Sequence, residues 1–272
     1  MIIGGKTFDT ENQVYIMGIL NVTPDSFSDG GNYNCLDKAL YHAEEMIKQG
    51  AAIIDVGGES TRPKHTQISD QEEIERVAPV IEKIKENFDI PVSLDSYKSS
   101  VIEANLSHID LINDIWGLKY DSKMAGLIAK SKLPCCLMHN RKERDYTCFF
   151  EDFMEDMKES LKIAEEAGIE KENIILDGGV GFQKSLEQNL TVINKTDDLC
   201  KLGFPVLIAT SRKSFIGTIL DRTVDERLYG TLATTVAGVM KGASFIRVHD
   251  VQENYDAAKM AKSILGEKRW TK

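Results

Sequence analysis

Charged and amide side chains follow a series of short apolar segments in this chain, each at the point where the segment ends. Asp95, Asn113 and Asp177 each follow such a segment, and Arg247 and His249 follow the last one. A carboxylate can accept two adjacent N–H groups side by side, whereas arginine binds phosphate through several N–H groups. Together the two sets predict a site for a flat heterocycle that is rich in N–H groups and carries a phosphate tail.

The basic residues of this pattern lie in separate segments of the sequence. Residues 211–214 read Ser-Arg-Lys-Ser after the seventh apolar segment and open a helix. Arg247 and His249 alternate, so a strand points both to one face, and Arg62 can reach in from the loop after the second segment. These residues could instead be solvated surface charges. We favour a phosphate site, because the start of a helix adds its own positive end.

A metal ion is expected beside this basic group. Asn21 ends the first apolar segment and offers an amide oxygen. Mg²⁺ typically binds one or two protein oxygens together with phosphate oxygens and water. No cluster of His and Cys residues suggests a transition metal.

Each polar residue, taken alone, also has a structural explanation. Asp95 could cap the next helix and Asn113 could form a turn. A lone His139 is more often a satisfied buried histidine than a catalyst. These explanations do not account for polar residues at the ends of eight successive apolar segments.

Eight apolar segments, rich in β-branched residues, alternate along the chain with amphipathic segments. Continuous apolar runs are typical of parallel strands that are buried on both faces. The apolar segments span 14–22, 52–58, 91–95, 111–115, 134–139, 174–179, 205–210 and 245–250. The helical patterns span 37–49, 70–88, 97–108, 121–131, 151–167, 185–202, 225–241 and 251–265.

Eight strand–helix repeats predict a (β/α)8 TIM barrel, an α/β fold whose site lies at the carboxyl ends of the strands. The alternative is an open doubly wound sheet, which usually carries a glycine-rich turn after its first strand. Residues 22–25, Val-Thr-Pro-Asp, are not such a turn. The length of 272 residues suits one barrel, so we expect a single domain over 1–272.

Composition excludes several classes of protein. The net charge of −10 disfavours a general nucleic-acid binder, because it repels polyphosphate. The five cysteines show no C-x-x-C spacing, which favours a reducing compartment and a cytoplasmic location. The N-terminus does not resemble a signal peptide, and no apolar run reaches the roughly 18 residues of a membrane span.

Two long motifs resemble the signatures of the dihydropteroate synthase family. Residues 17–31 read MGILNVTPDSFSDGG and residues 55–63 read DVGGESTRP. Shorter motifs follow in family order at Asp95–Lys98, Ile112–Ile115, Met138–His139, Gly179–Phe182, Ser211–Lys213 and Arg247–His249. The resemblance extends over nearly the whole chain.

The resemblance implies a barrel enzyme, usually a homodimer, that acts in folate biosynthesis. Its reaction would condense 6-hydroxymethyl-7,8-dihydropterin diphosphate with 4-aminobenzoate and release diphosphate, with Mg²⁺. By their motifs, Asn21 resembles the metal ligand, and the pterin binders would be Asp95, Asn113, Asp177 and Lys213. Met138 and Phe182, from two of the shorter motifs, would also bind substrate. Thr61, Arg247 and His249 would contact the diphosphate. The aminobenzoate pocket, where sulfonamides should also fit, would comprise Phe27, Arg62, Pro63 and Ser214.

The chemistry implied by this resemblance centres on departure of diphosphate. The amine of 4-aminobenzoate is neutral and nucleophilic at pH 7, so it needs no strong general base. We therefore expect an SN1-like reaction in which the pterin diphosphate binds first. Asp95 and Asp25 would stabilise the cationic methylene, and the departing charge would be stabilised by Lys213, Arg247 and His249. Arg62 completes the expected catalytic set.

The chain departs from the family pattern at three places. Gly178 replaces the usual proline, Ser96 replaces the more frequent threonine, and Lys64-His65 replaces the commoner Gly-Ala. Three other functions remain as alternatives. They are a methyltetrahydrofolate-binding domain of a corrinoid methyltransferase, an inactive pterin-binding scaffold, and a sugar-phosphate isomerase of the same fold.

Overall fold

The structure, a computed structural model, describes residues 1–22, 32–60 and 66–266. Eight parallel strands close into a barrel. They are β3 (Tyr15–Asn21), β4 (Ala51–Gly57), β5 (Val92–Asp95), β6 (Leu111–Asp114), β7 (Cys135–Met138), β8 (Ile174–Asp177), β9 (Val206–Ile208) and β10 (Phe245–Val248). Their order around the barrel is β10-β3-β4-β5-β6-β7-β8-β9. The predicted (β/α)8 barrel is confirmed, and all eight predicted strands are present.

Each barrel strand is followed by one or two helices, as the amphipathic segments predict. They are α1 (Asn32–Lys48), α2 (Asp70–Asn87), α3 (Ser99–Asn105), α4 (Met124–Ser131), α5 (Phe149–Ala167), α6 (Leu186–Asn194), α7 (Thr196–Cys200), α8 (Ser214–Leu220), α9 (Leu228–Met240) and α10 (Val251–Leu265). In the part of the chain that the structure describes, none of them is both long and apolar enough to cross a membrane.

The structure differs from the predicted elements in three details. The pattern 185–202 forms two helices, α6 and α7, which separate at Lys195. The short helix α8 precedes α9 in the connection between β9 and β10. An N-terminal hairpin of β1 (Ile2–Ile3) and β2 (Lys6–Thr7) lies outside the barrel sheet. Strands of two residues are too short to show an alternating pattern in the sequence.

Helix ends follow the local sequence signals. Ser69 caps α2, since its hydroxyl accepts a hydrogen bond from the Glu72 amide at 3.2 Å. Gly168 ends α5 with φ +84°, a left-handed conformation that glycine adopts without steric cost. These signals set the short connections that bring each helix back to the next strand.

The inner face of the barrel has an apolar floor near the amino ends of the strands. Inward-facing side chains from alternate strand positions form one buried cluster, which includes Met17, Ile53, Leu111, Cys136, Ile175, Leu207 and Phe245. Ile3 and Phe8, from the segment around the N-terminal hairpin, belong to the same cluster and are almost fully buried. The hairpin segment therefore covers the floor from below.

Candidate active site

The inner face changes from apolar to polar toward the carboxyl ends of the strands. Asn113 lies two residues beyond Leu111 of the floor, and Asp177 lies two residues beyond Ile175. Side chains of a strand alternate between faces, so residues two apart point the same way. Arg247 follows the same rule on β10. The polar residues thus project into the barrel because they are in phase with its apolar floor.

Arg247 forms ion pairs with two carboxylates across the barrel. Its Nε donates to Asp55 Oδ2 and its Nη2 donates to Asp95 Oδ2, both at 2.6 Å. Asn113 Nδ2 donates to the same Asp55 oxygen at 3.3 Å. The sequence assigned the carboxylates to a heterocycle and Arg247 to its phosphate tail. In the structure Arg247 lies among the carboxylates themselves.

Burial controls the protonation of the acidic and basic residues here. It raises the pKa of Asp95 above its ordinary value, and the charge of Arg247 opposes that rise. Burial likewise raises the pKa of Asp177, against the effect of Lys213. It lowers the pKa of Lys213 to about 8. A site with such strongly shifted groups in one place is typical of binding and catalysis.

Lys213 and Phe182 lie together beside the turn that follows β8. Lys213 Nζ donates to the carbonyl oxygen of Val180 and lies 4.8 Å from the centre of the Phe182 ring. Phe182 also packs against a small buried cluster of Tyr97, Ile115 and Met138. These side chains give the site an apolar wall next to its charged groups, as a flat ring requires.

Arg212 fixes the backbone that presents Lys213. Arg212 has φ +55°, a left-handed conformation that is uncommon for a residue with a side chain. Its Nε and Nη2 donate to the Asp250 carboxylate at 2.9 and 2.5 Å, and its amide donates to Thr231 Oγ1 at 3.0 Å. The ion pair and the hydrogen bonds hold the backbone of Arg212 in this conformation. The next residue, Lys213, is thereby directed into the site.

His249 and Ser214 lie near the same connection between β9 and α8. His249 Nδ1 is 2.9 Å from Ser211 Oγ, which also accepts a hydrogen bond from the His249 amide at 3.2 Å. Ser214 is exposed and begins α8. The structure therefore brings the ends of β9 and β10 together, as the sequence predicts.

Oxygen atoms suited to Mg²⁺ lie at the ends of β3, β4 and β5. A Cβ built on Gly57 would be 3.6 Å from Asn21 Oδ1 and also 3.6 Å from Asp95 Cβ, so these side chains are neighbours. Among the described residues, the buried oxygens Asp55 Oδ1 and Asp95 Oδ1 have no hydrogen-bond partner. The described part contains no group of three His, Cys, Asp or Glu residues that could form a metal cage. The hard oxygens present fit Mg²⁺ held mainly by phosphate.

Five of the predicted site residues lie outside the described part of the chain. They are Asp25, Phe27, Thr61, Arg62 and Pro63. Lys64 and His65, which depart from the family pattern, lie outside it as well. The adjacent ends of these segments, Val22 and Ser60, follow β3 and β4 at the polar end of the barrel.

Sequence reasoning missed several buried charged residues around the site. Asp55 is completely buried and holds Arg247. The sequence does indicate Asp55, because it is the one charged residue within the otherwise apolar strand β4. Lys184 is also buried, and its ammonium lies 2.9 Å from His139 Nδ1. Lys98 forms buried ion pairs with Glu59 and Glu73.

A family of known proteins matches most of this chain. The model of the pterin-binding enzymes matches residues 17–249. A dihydropteroate synthase of Clostridium beijerinckii is 55% identical over 267 residues, covering 97% of this chain and 99% of that protein. One from Bacillus subtilis is 53% identical over 256 residues, covering 94% of this chain and 90% of that protein.

Solved structures agree with the sequence matches. A dihydropteroate synthase of Clostridium difficile with pteroic acid superposes with a TM-score of 0.92 at 49% identity, covering 95% of this chain and 99% of that one. A Yersinia pestis dihydropteroate synthase in complex with a sulfonamide superposes with a TM-score of 0.91 at 38% identity, covering 98% of this chain and 99% of that one. A Xanthomonas albilineans dihydropteroate synthase with 4-aminobenzoic acid superposes with a TM-score of 0.89 at 35% identity, covering 93% of this chain and 94% of that one.

Proposed function

The chain belongs to the dihydropteroate synthases, and from this premise we propose how its residues bind the two substrates and join them. The enzyme is a transferase of alkyl groups that condenses 6-hydroxymethyl-7,8-dihydropterin diphosphate with 4-aminobenzoate. The products are 7,8-dihydropteroate and diphosphate. One structural relation carries the assignment of roles: Asp95, Asp177, Lys213 and Arg247 interact at a single end of the barrel.

The pterin ring would bind deepest, against the polar layer above the floor. Asp177 and Asp95 would accept its adjacent N–H groups, and Asn113 would bind the same ring edge. Lys213 would donate to the ring carbonyl and nitrogen. Two apolar side chains, Met138 and Phe182, would line the ring. Support comes from the packing of Met138 and Phe182 in one small cluster and from the related enzyme that binds pteroic acid.

The diphosphate would lie toward the ends of β9, β10 and β3. Arg247 and His249 would bind it together with Thr61, and Asn21 would hold Mg²⁺. Arg247 uses Nε and Nη2 for Asp55 and Asp95. When bound, Mg²⁺ would neutralise the charge of the departing diphosphate.

The 4-aminobenzoate would bind last, at the mouth of the site. We assign its pocket to Phe27, Arg62, Pro63 and Ser214, and we expect sulfonamides to compete there. Ser214 is exposed at the start of α8. The assignment is supported by relatives that bind 4-aminobenzoic acid and a sulfonamide.

The reaction would proceed by departure of the leaving group before attack. The bond between the pterin methylene carbon and the diphosphate oxygen breaks, and the electron pair leaves with diphosphate. Asp95 and Asp25 would stabilise the cationic methylene, while the departing charge would be stabilised by Lys213, Arg247 and His249. Arg62 would orient the aminobenzoate. Its amine then forms the new C–N bond and loses a proton to water or diphosphate.

The test measures diphosphate and dihydropteroate after the purified chain is mixed with both substrates and Mg²⁺. Formation of both products, inhibited by a sulfonamide, is expected. Incubation with the pterin diphosphate and Mg²⁺ alone should release diphosphate slowly. Absence of that release would contradict the dissociative order of events. No product with both substrates present would contradict the function itself.

We also propose a homodimer with a single domain over 1–272 in each copy and a cytoplasmic location. Tyr229, Ala233, Val236 and Met240 form an exposed stripe along α9. Their spacing of three and four residues places them on one face. Sedimentation should give a dimer, and Val236→Glu should shift it toward monomer. We expect no nucleic-acid partner and no membrane association.

A further inference from the structure

Lys184 is a buried cation that the reaction described above does not use. Lys184 comes shortly after the turn 177–182 in the sequence, and it is only 5% exposed. Its Nζ lies 2.9 Å from His139 Nδ1, 2.9 Å from Gly179 O and 3.1 Å from Phe182 O. An ammonium has three N–H donors and no acceptor. These three acceptors therefore satisfy it completely.

His139 connects this cation to the outer helix α5. Its Nε2 lies 2.9 Å from Asp156 Oδ2, so the neutral ring donates there and accepts from Lys184 at Nδ1. Asp156 is held in turn by Arg141, whose Nε and Nη2 donate to it at 2.6 and 3.1 Å. The result is a continuous chain of hydrogen bonds from the protein surface to the turn.

Space in the turn is limited at Gly179, a position that only a residue without a side chain can occupy. Gly179 has φ +62°, and a Cβ there would lie 2.0 Å from His139 O. Asp177 Oδ1 accepts a hydrogen bond from the Gly179 amide at 2.8 Å. The position of the Asp177 carboxylate is thus coupled to the conformation of Gly179, and Lys184 binds the carbonyl of that same residue.

We propose that Lys184 is a positioning residue for the pterin ring: through Gly179 O and Phe182 O it holds the turn that orients Asp177 and Phe182. The inference rests on the proposed placement of the pterin ring. Burial lowers the pKa of Lys184 to about 7. That cost is consistent with a buried lysine retained for its hydrogen bonds rather than for packing.

The test uses Lys184→Met, which keeps a long apolar side chain but removes all three donors. Calorimetry measures two ligands separately: 6-hydroxymethylpterin, which carries the ring alone, and inorganic diphosphate with Mg²⁺. We expect the Kd of hydroxymethylpterin to rise at least tenfold and that of diphosphate to stay within twofold. In steady-state assays, the KM for the pterin diphosphate should rise more than the KM for 4-aminobenzoate.

Lys158→Met is the matched control, because Lys158 is an exposed lysine on α5, paired with Glu155. It should leave both Kd values unchanged. If Lys184→Met does not unfold cooperatively, Lys184→Gln takes its place: its amide keeps only two of the three donors, so we expect a smaller rise in the Kd of hydroxymethylpterin, between twofold and tenfold. A Kd for hydroxymethylpterin within twofold of the unmodified protein, or equal weakening of both ligands, overturns the inference. Failure of the unmodified protein to bind hydroxymethylpterin overturns the proposed function instead.

Discussion

Arg247 on the last strand and Asp95 on β5 meet across the barrel, with Nη2 and Oδ2 2.6 Å apart. Asp55, on β4, binds the same guanidinium at an equal distance. Two carboxylates therefore share one cation in a largely buried place, where leaving either charge unpaired is costly. The arrangement makes Arg247 part of the stability of the barrel as well as of its proposed chemistry.

Arg247→Met should destabilise the protein by about 3 kcal/mol, since removal of one partner from a buried ion pair typically costs that much. Urea unfolding measures the change. Asp55→Asn in the same chain should restore part of the loss, because it removes one of the two carboxylates left facing each other. The control is Arg222→Met, which alters an exposed arginine. Equal losses for Arg247→Met and the control would contradict the ion-pair explanation.

Lys98→Met should cost a similar amount of stability, again about 3 kcal/mol. Lys98 Nζ lies 2.7 Å from Glu59 Oε2 and 2.8 Å from Glu73 Oε2, and all three residues are buried. Burial already raises the pKa of Glu73, against the effect of Lys98. Without the lysine this pKa should rise further, so the folded state would bind more protons than the unfolded state.

The loss caused by Lys98→Met should therefore be smaller at pH 5 than at pH 8. Urea midpoints at the two pH values test this. Lys85→Met is the comparison, because Lys85 pairs with Asp110 in a more exposed place, and we expect a loss below about 1 kcal/mol there. A loss that does not change with pH would show that repulsion between the glutamates is not its source.

Stability should fall as the pH drops below 6.5, because His139 is buried in its neutral form. Burial lowers its pKa from 6.5 to about 4. Between these values the unfolded chain binds a proton that the folded chain does not, so stability rises with pH in this window. One such group contributes a slope of at most about 1.4 kcal/mol per pH unit.

His139→Gln should flatten the dependence of the unfolding free energy on pH between 6.5 and 5. His108→Gln, at an exposed position, should keep the slope of the unmodified protein. Unfolding in urea at half-unit steps of pH distinguishes the two. The explanation would fail if both variants retained the same slope.

Gly178→Ala should destabilise the turn after β8 by about 1–3 kcal/mol, the usual cost of overpacking. A Cβ at this position would lie 2.5 Å from Val192 Cγ1 on α6. Val192→Ala removes that methyl group, so the two substitutions should be less costly together than the sum of their separate effects. A double-mutant cycle from thermal unfolding gives the coupling. Simple additivity would mean that the strain arises elsewhere.

The sequence predicted the barrel and the inward position of most site residues because both depend on simple periodicities. Eight apolar segments separated by helices specify the strands, and the alternation within each strand places Asn113 and Asp177 above Leu111 and Ile175. Asp55 obeys the same alternation, since it lies two residues beyond Ile53. The alternation within β4 therefore also predicts that Asp55 faces the inside of the barrel.

Other features could not be read from local patterns. The ion pairs of Lys98 and the contacts of Lys184 join residues far apart in sequence, so no spacing indicates them. Arg247 was expected to face phosphate, but its pairing with two aspartates depends on the strand order of the closed barrel. The hairpin β1–β2 is too short to have a period, although its Ile3 is buried against the floor.

The apolar floor of the barrel constrains the order in which ligands bind and leave. It is formed by Met17, Ile53 and Phe245, with Ile3 and Phe8 beneath it. Because this floor is packed in the described part of the chain, we expect ligands to enter and depart at the polar end of the barrel. A ligand that is bound against the floor would be covered by any ligand that binds after it. The pterin moiety would then be first in, and it could leave only as part of the finished product or after the outer ligand has gone.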